Sequence, residues 1–305
     1  MEPDHPEGAI MGNSMPAPFA AIRQGFGDAR RSRGVVWILF LVNLALAALA
    51  ALPIYEGVLR FTGLSLTSQA LARGLPVEWL TDFAINSPGS LKRYAAWISF
   101  TAMLSMPVNV VLAGGVLSQF RAPQTPFSLG DFLRQAGHFA PRLLRLWLIA
   151  LVGYWIVFRV INQGVGGLFE EWSREQPDGR TVFWVHLALV AAVALGLIAV
   201  NIVVEYARVW LVMEDGASVA SALGTSLRFL ARGTSRAVTV YALPSLSGLL
   251  LAAVYLLAAP PSDFREPWML IPLFVIQQVV LIARYWFRVA TWASEWSYYS
   301  GAKEE

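Results

Sequence analysis

Six long apolar stretches constrain this chain more than any other feature: about 34–55, 94–119, 143–163, 182–208, 237–259 and 268–290. A helix rises 1.5 Å per residue, so roughly 20 apolar residues cross the ~30 Å hydrocarbon layer of a bilayer. Composition agrees, with 56% hydrophobic and 14% charged residues among 305 and a mean hydropathy of +0.54. Soluble domains are less apolar. The expected fold class is all-α, a polytopic membrane helical bundle with six transmembrane helices and repeated amphipathic interfacial helices.

Residues 1–33 read as a flexible N-terminal cytoplasmic segment with a candidate interfacial helix, residues 34–300 as the six-span membrane domain, and 301–305 as a cytoplasmic tail. The run from Gly34 to Tyr55 is too long for the h-region of a cleavable signal and is read as the first span. Six is even, so both termini share a side. With that side inside, 15 of the 23 Lys and Arg residues flank the cytoplasmic ends and 8 the outer ends. The excess predicts cytoplasmic termini. Tyr55, Tyr94, Trp97, Trp184 and Trp268 mark outer ends, and Trp37, Trp147, Trp210, Tyr285 and Trp286 inner ones. The outer segment from Glu56 to Leu91 is the longest connection, and Pro76 ahead of "VEWLTDFAI" predicts a short interfacial helix there.

Two inner segments match at a constant offset of 90 residues: "FSLGDFLRQAGHFAPR" from Phe127 and "ASVASALGTSLRFLAR" from Ala217. Ser128 and Ser218 stand at helix N-cap positions. Leu129, Phe132, Leu133, Ala136 and Ala140 form one apolar stripe, and Val219, Ala222, Leu223, Leu227 and Leu230 another. Both predict helices lying at the inner interface, with Arg134, Arg142, Arg228 and Arg232 as candidate contacts for anionic headgroups. "PFAAIRQGFGDARRSRG" is a weaker third copy, with Phe19, Ile22 and Phe26 at helical spacing.

Asn201, Glu205 and Arg208 lie at i, i+4 and i+7, on one face of the fourth span. Gln277, Arg284, Arg288, Thr291 and Glu295 follow a similar stripe along the sixth. Ionised groups in a membrane domain are costly and are paired or cavity-facing. Depth counting therefore predicts a polar network of Asn201, Glu205, Arg208, Gln277, Arg284 and Arg288, with Glu205 paired to Arg284 or Arg288. Asn43 and Asn109 are expected to hydrogen-bond between helices. No cysteine is present, and His5, His138 and His186 share no ligand spacing. No nucleophile elbow or phosphate-binding loop is found, so no catalytic, cofactor-binding or metal site is assigned.

"VEYARVWLVMEDGASVASALGTSLRFLARG" resembles the segment joining the fourth and fifth spans in a broad set of uncharacterised bacterial six-helix membrane proteins. These include the membrane domain attached to some glycerophosphoryl diester phosphodiesterases. The shared features are Glu205, Tyr206, Ala207 and Arg208, then the acidic turn at Glu214 and Asp215, then a Ser-capped helix. The resemblance implies the six-helix architecture and a bacterial plasma membrane, and it assigns no catalytic residue. The expected function is a non-enzymatic accessory, scaffold or lipid-interacting module, and the alternative is a small transporter or permease using the polar face of the fourth and sixth spans. Expected partners are the lipid bilayer, with anionic headgroups, and a membrane protein or a second copy, but no nucleic acid.

Overall fold

The computed structural model describes residues 17–62, 81, 85, 89–121, 125–175, 178–258 and 270–304. These residues are helical almost throughout, and no strand occurs among them. Helix α1 (Pro18–Arg31) breaks at Ser32 and α2 (Arg33–Thr62) follows. Then come α3 (Ser90–Gln119), α4 (Leu129–Val157), a π-helical stretch (Phe158–Val165), α5 (Gly166–Glu175), α6 (Gly179–Met213), α7 (Val219–Ala258) and α8 (Leu270–Glu304).

Among the described residues six helices are long and apolar enough to cross a membrane, the pattern of a multi-pass membrane protein. The helices α2, α3, α4, α6, α7 and α8 pack in chain order, and α8 returns to α2, which closes a ring. Helix α1 packs on α8. The end of the bundle where α1 meets α8 is called the terminal end, and the opposite end the distal end.

Burial is concentrated at the terminal end. Helix α6 buries Ile202 to Val212 apart from Val203 and Trp210, α8 buries Val289, Ala290, Trp292, Ala293, Tyr298, Tyr299 and Ala302, and α7 buries Ala222, Phe229 and Val240. Toward the distal end Leu187, Leu195, Leu249, Leu257, Ile271 and Phe274 are exposed. Length accounts for this. Helices α6 and α8 each hold 35 residues, roughly 50 Å of rise against about 30 Å of hydrocarbon. Helices longer than the hydrocarbon layer must cover their surplus apolar side chains with protein, and here the buried side chains lie at the terminal end.

Several boundaries and roles differ from the sequence reading. The segment after Ser128 is no separate surface helix, because α4 runs from Leu129 through Pro141 without a break. It also continues beyond residue 163, through the π-helical stretch into α5 as far as Glu175. The sixth helix does not stop near residue 290 but reaches Glu304 and takes in most of the expected tail. In α7 the backbone leaves helical geometry at Gly233 (φ −146°, ψ 39°), which separates the Ser218-capped segment from its span.

Both N-caps form as expected: Ser128 Oγ accepts from the Asp131 N–H at 3.4 Å, and Ser218 Oγ from the Ser221 N–H at 3.1 Å. The stripes, however, face protein. Phe132, Ala136 and Phe139 are buried, as are Ala222, Ser226 and Phe229 at the same register 90 residues later. Leu129, Leu133 and Leu227 are exposed instead. An apolar stripe satisfies lipid and protein equally, so its periodicity does not tell the two apart. The interfacial helix expected after Pro76 falls outside the described residues apart from isolated positions.

Two polar devices join α2 to α3. The amides of Asn43 and Asn109 donate to each other's oxygens at 3.0 and 2.9 Å, and each also donates to a carbonyl one turn back, that of Leu39 or Ser105. All four amide N–H groups are thereby used. Near the distal end, Pro53 has no N–H to give to the Leu49 carbonyl four residues earlier. The indole of Trp97 donates to that carbonyl at 2.9 Å. An unpaired carbonyl in hydrocarbon costs several kcal/mol, so the indole repairs what the proline removes.

Helix α1 buries Ala21, Gly25 and Ala29. A Cβ on Gly25 would lie 2.4 Å from the Ser294 backbone nitrogen and 2.7 Å from its Cα. Phe26 stacks edge-on against Trp286 at 5.3 Å, and Ser297 donates to the Gln24 side chain at 2.8 Å. Replacing Gly25 by Val is therefore expected to detach α1 from α8 while leaving the six-helix ring folded. Limited trypsin digestion should show faster cleavage at Arg23 and Arg30 with an unchanged core fragment.

Candidate functional site

The polar residues of α6 and α8 meet in the terminal-end core. Glu205 and Arg208, one turn apart on α6 and both buried, form an ion pair at 2.7 Å. The indole N–H of Trp292 on α8 donates to the same carboxylate oxygen at 3.1 Å. The guanidinium of Arg288 lies over the Trp292 ring at 4.8 Å and that of Arg208 at 5.9 Å. The expected ion pair between the fourth and sixth spans does not form, although a different contact joins them. Glu205 pairs within its own helix rather than with Arg284 or Arg288, and the crossing contact is an indole hydrogen bond. Trp292 is not part of the network predicted from sequence, since a tryptophan at a helix end reads first as an anchor.

Asn201 sits farther along α6 toward the distal end. It accepts from the Tyr154 hydroxyl of α4 at 3.1 Å and donates to the Tyr241 hydroxyl of α7 at 2.7 Å, joining three helices. Gln277 is exposed on α8, and Arg284 is exposed one turn before Arg288. Neither joins the Glu205 pair. Glu295 is wholly buried, and neither of its oxygens has a hydrogen-bond partner among the described residues. Glu205, Arg208 and Arg288 are the charged groups that act on it.

A second cluster holds the turn between α6 and α7. Gly216 supplies the φ of 111° that this turn needs, a value L side chains avoid. Asp215 accepts from Arg142 at 2.8 Å and lies 3.1 Å from His138 Nε2. Glu214 pairs with Lys303 at the end of α8. Arg121, just past α3, donates to the Val212 and Met213 carbonyls that α6 leaves free at its C-terminus. Three other parts of the chain, the end of α3, α4 and the end of α8, therefore grip one turn. Of the four arginines expected to touch headgroups, Arg142 is engaged here and Arg134 pairs with Asp131 on its own helix. Arg228 and Arg232 lie exposed on α7.

Between α1, the end of α3 and α8 lies a cleft of about 370 Å³ lined by Gln24, Asp28, Arg31, Phe120, Trp296 and Ser300. Burial raises the Asp28 carboxyl above its ordinary value, and neighbouring Arg31 partly offsets this. No protein-family model matches the chain, and comparisons with curated proteins and with solved structures yield no match.

Removing either member of a buried ion pair leaves an uncompensated charge. Glu205→Gln and Arg208→Gln are each expected to cost about 3 kcal/mol, and the double variant less than their sum. Trp292→Phe, which keeps the ring and removes the donor, should cost about 2 kcal/mol. Melting of the purified proteins in one detergent gives the comparison.

The hydrogen bonds from His138 and then Arg142 hold the Asp215 carboxyl below its ordinary value. A carboxyl lowered in the folded state contributes stability above its unfolded pKa and loses it as pH falls through the folded one. The stability difference between wild type and Asp215→Asn should accordingly be full above about pH 4 and shrink below it. His138→Ala should move that loss to higher pH, as read from melting curves across an acid series.

Proposed function

We propose that this chain is a multi-pass protein of the bacterial plasma membrane, with both termini cytoplasmic, that works as a non-enzymatic accessory, scaffold or lipid-interacting module. The observation that carries the reading is the distribution of polarity. Ionic groups are packed into the terminal-end core, with Glu205, Arg208 and Trp292 in mutual contact. The stretches of hydrocarbon length beyond it carry exposed apolar side chains such as Leu195, Leu249 and Phe274. Such an arrangement suits a rigid platform on the inner side of a membrane, with its apolar flanks open to lipid or to other helices. The Lys and Arg excess at the terminal end supports the cytoplasmic orientation. The resemblance of the Glu205–Gly233 segment to bacterial six-helix membrane proteins supports the compartment. The offset of 90 residues, with its shared buried register, supports an origin by internal duplication.

A second reading, a small permease, draws on one observation: the buried carboxyl of Glu295, which lies beside Glu205 and has no hydrogen-bond partner among the described residues. Reconstitution separates the two readings. Vesicles containing the purified protein should be no more permeable to protons, potassium or small anions than empty ones. A flux that Glu205→Gln or Glu295→Gln abolishes would establish the permease and displace the scaffold.

A further inference from the structure

The charge balance of the α8 cluster is uneven. Around Trp292, α6 and α8 carry three guanidiniums, those of Arg208, Arg288 and its neighbour Arg284, and two carboxyls, those of Glu205 and Glu295. Arg208 is taken by Glu205. Arg284 and Arg288 are exposed, four residues apart on one face of the helix, and neither has a carboxylate within 4.0 Å among the described residues. Each acts on the other as a like charge. Even with both carboxyls ionised, one unit of positive charge is left over.

The sequence sets the depth of these two groups. The 17 residues from Pro267 to Ala283 carry no ionisable side chain. The 14 of them that α8 holds, from Leu270, rise roughly 21 Å, most of the hydrocarbon thickness. Arg284 therefore stands where hydrocarbon gives way to headgroups, and Arg288 about 6 Å beyond it. Arg288 is held in place by its ring contact with Trp292, which is itself fixed by Glu205.

We propose that Arg284 and Arg288 bind the phosphate of an anionic phospholipid headgroup at the terminal-end face of α8. A phosphodiester brings one negative charge and oxygen acceptors, matching the surplus charge and the donor forks of two guanidiniums. The site rests on the reading of this chain as a lipid-contacting membrane module and names the ligand of that module. It also moves lipid recognition from Arg134 and Arg142, which hold carboxylates of their own, to the sixth helix.

Native mass spectrometry of the full chain in neutral detergent tests this, with phosphatidylglycerol, phosphatidylcholine or inorganic phosphate added. Phosphatidylglycerol should bind more tightly than phosphatidylcholine. Arg284→Gln and Arg288→Gln should each weaken phosphatidylglycerol binding about fivefold, and the double variant roughly 10- to 30-fold. Arg180→Gln, at the distal end of α6, should change it less than twofold. If the double variant fails to fold, the single variants decide. Undiminished binding in the Gln variants would overturn the proposal. So would displacement of the lipid by equimolar inorganic phosphate, which would mark the site as one for free phosphate. Loss of lipid binding together with silent vesicles is the joint expectation. Lipid binding independent of Arg284 and Arg288, with silent vesicles, would sink this site alone, whereas Glu205-dependent flux would sink the scaffold reading alone.

Discussion

Helix length against bilayer thickness is the constraint on which the rest of this structure depends. A helix in hydrocarbon satisfies its own backbone, so length beyond the bilayer faces water and must cover its apolar side chains with protein. Here the helices exceed that length and the buried core lies at one end of them. Tyr206, Phe139, Phe229 and Tyr298 fill that region, in a place where the hydrophobic effect operates. Within lipid it supplies no drive between helices, and packing there rests on small residues and on polar contacts such as Asn43 with Asn109.

The polar chemistry divides along the same line. Inside the bilayer thickness, polar groups repair the backbone or satisfy each other, as Trp97 does for the carbonyl freed by Pro53. Beyond it, charged groups fasten the ends of helices: Arg121 on the last carbonyls of α6, Lys303 on Glu214, and Arg142 with His138 on Asp215. Glu295 stands apart as a buried carboxyl with no donor among the described residues.

The six spans are legible in the sequence because a run of hydrocarbon length nearly free of charge is too apolar for a helix bathed in water. The Ser128 and Ser218 caps are legible because capping is local, and the Asn pair because an amide in hydrocarbon needs a partner. What stays hidden is long-range. His138 and Arg142 meet Asp215 across 77 and 73 residues, and no periodicity encodes that meeting. The composition of the two stripes suits a membrane surface, whereas the ring closes over Phe139 and Phe229. Trp292 escapes a sequence reading because its donor role depends on which helix lies opposite.

The docking of α1 on α8 ties the order of folding to the order of synthesis. The ribosome releases α1 first and α8 after the other five spans, so the Gly25 face has no place to settle until the sixth span is in position. Until then that small-residue face and Phe26 remain uncovered beside the growing bundle. Seating α1 is therefore a closing step, one that marks an assembled ring as complete.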